Sequence, residues 1–86
     1  MRQMFNARVL PRVGDDVMEI VTRSAPASPR SGQPRGTVSE EVSYYTGTEQ
    51  LARAHRFLTP DGEVGGSGLP DPKVVVLDGT MYVLRM

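Results

Sequence analysis

The chain has 86 residues, room for one small domain and not for a two-domain enzyme. Ten basic residues balance ten acidic ones, with one histidine and no cysteine, which excludes disulfides and thiolate metal sites and leaves no global field toward nucleic acid or membrane. A core drawn from 38% apolar residues without such a staple is marginal alone, so a protein partner, with a homodimer mate as the simplest, is expected.

Along the chain the neutral total resolves into two parts. Residues 1–37 hold six Arg against Asp15, Asp16 and Glu19, a balance of +3, and residues 38–86 carry the opposite balance of −3. Nine of the ten basic residues are arginine, a bias that fits a GC-rich bacterial or phage genome as well as selection for phosphate or carboxylate binding. The first unit, 1–21, is read as loop and strand: Pro11 and Gly14 break the early stretch, and the β-branched run 17–22 forms the strand. Its aspartates Asp15 and Asp16 could alternatively cap a two-turn helix. The segment 22–37 (TRSAPASPRSGQPRGT) contains three Pro, two Gly and three Arg. It lacks the apolar surface to offset its ordering entropy and is expected to be a flexible arm.

The remaining unit, 38–86, carries most of the fold signal. Val42 to Thr46 is strand-like and ends at Gly47. For the run 51–58 (LARAHRFL) the residues support two readings. Propensity favours a helix capped by Thr48, since nothing in the run is β-branched. Context favours a strand, because Gly47 to Gln50 and Thr59-Pro60-Asp61-Gly62 look like hairpin turns; the strand is the reading adopted. Lys73 to Arg85 gives the strongest local signal, two β-rich runs joined by Asp78-Gly79, a pair suited to a type I′ turn. Neither run alternates cleanly with polar residues, which calls for cover on both faces. The expected fold class is mainly β, or α+β if 49–58 is helical. The architecture is a single antiparallel sheet of about five short strands, near 17–22, 42–46, 51–58, 73–77 and 80–85, closing in the Asp-Gly hairpin.

Candidate chemistry is sparse. The Gly- and Pro-rich stretch 59–73 fails both the P-loop and the dinucleotide-binding spacing, because Gly68 is followed by Leu69-Pro70 and position 71 is Asp71. What survives is an anion nest of Gly65, Gly66, Ser67 and Gly68 with Lys73 beside it. His55 is the one side chain suited to acid-base work near neutral pH. With Arg53 and Arg56 it could serve a metal-independent ribonuclease-like reaction. Arg23, Arg30 and Arg35 form a basic arm able to neutralise about three phosphates, a weak and salt-sensitive contact. No metal and no cofactor is expected, and the longest apolar run, Val74 to Leu77, is far too short to span a bilayer. These features predict a small cytoplasmic, non-catalytic binding or regulatory protein, with the ribonuclease-like enzyme and the weak nucleic-acid binder as alternatives.

Overall fold

The computed structural model describes residues 1–84. It is mainly β: five antiparallel strands follow one another in both sequence and space, in the order β1-β2-β3-β4-β5. They are β1 (Met18–Pro26), β2 (Val38–Thr46), β3 (Glu49–Leu58), β4 (Asp71–Leu77) and β5 (Thr80–Val83). The contested run at 51–58 is therefore a strand; the turn before it joins β2 to β3, and the turn at 59–62 closes a single antiparallel bridge, Leu58 with Val64. In the last hairpin Leu77 pairs with Thr80. Asp78 and Gly79 take φ of 51° and 78°, the doubly left-handed geometry that Asp-Gly accommodates. The strand expected at 80–85 is seen at Thr80–Val83, and Arg85 lies outside the described residues.

The strands β2, β3 and β4 begin earlier than expected, at Val38, Glu49 and Asp71 in place of 42, 51 and 73, and two further differences matter more. The unit 1–21 opens with a helix, α1 (Arg2–Arg8), where only loop and strand were foreseen. Its signal is the spacing of Met1, Phe5 and Val9, four residues apart and so on one helical face. Phe5 and Val9 are fully buried, and Met1 and Met4 pack beside them. The second difference is at the arm, where β1 continues to Pro26 and takes in the first five residues of 22–37. β-Ladder pairing of Arg23 with Glu41 and of Ser24 with Glu40 holds that extension, a tertiary constraint that local composition does not report. Beyond it, Ser28 caps a short 3-10 turn, Pro29–Ser31, by accepting from the Arg30 amide.

The helix decides where the core lies. It covers one face of the sheet, and the buried side chains Val42, Tyr44, Leu51, Ala52, Ala54 and Val75 gather beneath it with Val17. Phe5 meets Tyr44 edge-on, ring centroids 5.2 Å apart at 75°, a preferred aromatic geometry. A bulge between Tyr44 and Tyr45 inserts Leu51 as an extra residue in β3, so that Leu51 and Ala52 both reach the core. No element packs on the opposite face among the described residues. The expectation that both faces of the terminal hairpin are covered is met only in β4 on the core face, where Val75 is buried and Leu77 packs on the core; Tyr82 on that face is 41% exposed, and on the other face Met81 is 64% and Val83 50% exposed.

Candidate functional site

Strand alternation places successive residues of β2 and β3 on opposite faces. Pairing of Glu41 with His55, and of Ser39 with Phe57, assembles Ser39, Glu41, Arg53, His55 and Phe57 on the bare face. There the imidazole Nε2 of His55 lies 2.6 Å from Ser39 Oγ, and its ring stacks edge-on against Phe57 with centroids 4.7 Å apart. Arg53 approaches Glu41 at 4.0 Å, with both side chains more than a third exposed. Asp71, which pairs with His55 across β4, has its Oδ1 engaged by Arg2 at 2.7 Å.

Arg56 belongs to the other face. Its Nε donates to Glu40 at 2.8 Å and its Nη1 to Glu19 at 2.9 Å, and only 15% of the side chain is exposed. Burial works against the guanidinium charge, but the hydrogen bonds it donates to Glu40 and Glu19 outweigh it and raise the Arg56 pKa. The neighbouring Tyr44 hydroxyl is buried and has no hydrogen-bond partner. Burial first, and then the adjacent Glu19 carboxylate, push its pKa up beyond the ordinary tyrosine range. The structure therefore brings Arg53 and His55 together and sends Arg56 into a structural ion cluster. Ser39, which the sequence reading did not single out, takes the place beside the imidazole.

The glycine loop is tied down. The Gly65 amide donates to Phe57 O at 2.9 Å and the Gly68 amide to Gly65 O at 3.4 Å, and the Ser67 hydroxyl donates to Leu69 O while accepting from its amide. A Cβ at Gly65 would meet the tip of the Gln33 side chain, which places residue 33 against this loop. Lys73 is the extra residue of a bulge in β4, between Pro72 and Val74. The basic-arm residues are spread out: Arg23 pairs with Glu41 in the β-ladder, Arg30 sits in the 3-10 turn, and Arg35 lines a recess of about 600 Å³ with Pro26, Pro29 and Pro34. No salt bridge to any of the three is found among the described residues.

The larger feature of this face is apolar. Around the polar centre stand Met18 and Ile20 on β1, and Val74, Val76, Met81 and Val83 on β4 and β5, their side chains sharing the face of Ser43 and Arg53 by register. Met18 and Met81 are each 64% exposed. No group of three or more metal-ligating side chains exists among the described residues, and no helix there is long and apolar enough to cross a membrane. Comparison with protein-family models, curated proteins and solved structures gives no match.

Proposed function

We propose that this is a small non-catalytic binding protein that acts through a protein partner seated on the bare face of its sheet. The observation that carries the reading is the exposure of apolar side chains on both flanks of that face, Met18 and Ile20 at one edge and Met81 and Val83 at the other. Exposed apolar side chains on a face that no other element of the chain covers are the material of a protein-binding surface, here set on either side of a polar strip. A homodimer is one form such binding takes. The test is affinity capture with the full chain and with Ile20→Lys. A stoichiometric partner that the substitution abolishes supports the reading, and capture that is indifferent to it overturns it.

A second reading, a metal-independent ribonuclease-like reaction, is favoured by the 2.6 Å contact between His55 and Ser39. That spacing is within reach of general-base chemistry, and Arg53 on the same face could meet developing negative charge. In that reading Arg56 has no part at the reacting centre. Full biological effect in a His55→Ala protein removes it.

A further inference from the structure

We propose that the occupant of the bare face is a second copy of this chain, packed sheet on sheet about a two-fold axis running along the strands. The proposal rests on the reading of that face as a protein-binding surface and names its partner.

Surface area supports it first. A compact monomer of 9.4 kDa exposes about 5,000 Å² by the size scaling of folded proteins, whereas this chain exposes 5873 Å². The surplus of about 900 Å² over that scaling matches the roughly 800 Å² that each partner loses in a standard interface. The shape agrees, since the molecule is a slab measuring 39 × 29 × 20 Å whose thin direction is the one that a second sheet, stacked about 10 Å away, would fill.

The arrangement of side chains on the face supports it next. A two-fold axis along the strands lays β1 of one copy over β5 of its mate and leaves positions along the strand unchanged. In the ladder, Ile20 pairs with Ser43, Ser43 with Arg53, Arg53 with Val74 and Val74 with Val83, so Ile20 and Val83 lie in one row across the sheet. Met18 and Met81 occupy the next row outward. The operation therefore sets the Met18 and Ile20 flank on the Met81 and Val83 flank, twice over. The centre carries one charge of each sign, Glu41 and Arg53, Arg23 stands opposite Glu41 on the β1 flank, and the whole chain is neutral, so no large net charge opposes the contact.

The absence of cysteine makes a clean test available. In one copy β1 and β5 are four strand spacings apart, about 19 Å, far beyond the reach of a disulfide. A Met18→Cys/Met81→Cys chain can thus be linked only between copies, and a short bis-maleimide able to span the roughly 10 Å between stacked sheets should convert most of it to a covalent dimer. The same treatment of Val21→Cys/Tyr82→Cys, on the other face, should give no covalent dimer. Sedimentation equilibrium of the full chain should show a monomer-dimer equilibrium whose Kd rises at least about a hundredfold in Met81→Lys, as expected for burying an unpaired charge, and is unchanged in Val21→Lys. Both positions are exposed in the single chain, 64% and 43%, so both variants keep the fold. A chain that stays monomeric to about 100 µM, with a dissociation constant therefore weaker than that, overturns the proposal. So does a dimer dispersed by Val21→Lys and not by Met81→Lys. A monomer that still captures a foreign protein, and loses it in Ile20→Lys, overturns self-association alone and leaves the binding reading standing.

Discussion

Two ion pairs on the same pair of strands, drawn from the adjacent carboxylates Glu40 and Glu41, show what the covering helix does. Arg56 and Glu40 meet at 2.8 Å with side chains 15% and 11% exposed, whereas Arg53 and Glu41 stand 4.0 Å apart, at 46% and 40%. The chemistry is the same, but Arg56 stands directly opposite Glu40 while Arg53 stands opposite Ser43 and reaches Glu41 on the diagonal. The faces differ as well: one pair lies on the side that α1 covers, with Glu19 as a third member, and the other faces water. The structural worth of a charge pair here is set by what packs over it. The bare face keeps its arginine, carboxylate and imidazole accessible, which is the condition for taking a partner.

Breaking the covered side should have the largest effect. Phe5 is fully buried against Tyr44, and Phe5→Ala should cost about 3–5 kcal/mol through lost burial and the cavity left behind. A chain of this size has roughly 4–13 kcal/mol in total, so urea unfolding should show a midpoint much lowered, or no cooperative transition. A loss below about 1 kcal/mol, well short of the usual cost of such a truncation, would mean that α1 is not the lid of the core.

The ion pairs test the comparison itself. Arg56→Met leaves Glu40 and Glu19 without their shared partner and should cost about 2–4 kcal/mol, somewhat less than breaking a fully buried pair. Arg53→Met should change stability by no more than about 0.5 kcal/mol. Equal losses in the two variants by urea unfolding would erase the distinction between the faces. Between them falls Ser39→Ala, which removes the hydroxyl beside the half-buried His55 and should cost about 1 kcal/mol.

How far these arguments were legible in the sequence depends on register. The Asp78-Gly79 hairpin and the alternation of Arg53, His55 and Phe57 could be read from residues alone, because turn chemistry and a period of two are local. The partner of His55 could not. A two-residue turn at Gly47-Thr48, continued without interruption, would set His55 opposite Glu40. The bulge at Tyr44/Tyr45 slips the ladder by one, sets it opposite Glu41 and brings Ser39 to the ring. That slip is decided by the core, which gains both Leu51 and Ala52 from it, and no short-range signal announces it. The extension of β1 through Thr22–Pro26 has the same origin, in pairing with β2 rather than in composition. The helix was within reach, since Met1, Phe5 and Val9 already carry its spacing.

The smallest effect concerns a pair that neither face buries. Arg12 grips Asp16 with two hydrogen bonds, Nε to Oδ1 at 2.9 Å and Nη2 to Oδ2 at 2.6 Å, at the turn that leads into β1. That hydrogen bonding, ahead of the attraction between the charges, holds the Asp16 carboxyl below its ordinary 3.8. In the unfolded chain the carboxyl regains that ordinary value, so between the two values the unfolded state binds more protons. The contribution of the pair to stability is therefore complete above pH 3.8 and is lost as the pH falls through the lower, folded value. Because the pair is solvated and salt screens it, the gain should be small and should shrink further at high ionic strength. Carboxyl NMR titration should find Asp16 titrating low in the native chain and returning upward in Arg12→Ala. An Asp16 that titrates alike in both would mean that the turn is held by its backbone bonds, from the Asp15 and Val17 amides to Arg12 O, and not by the side-chain pair.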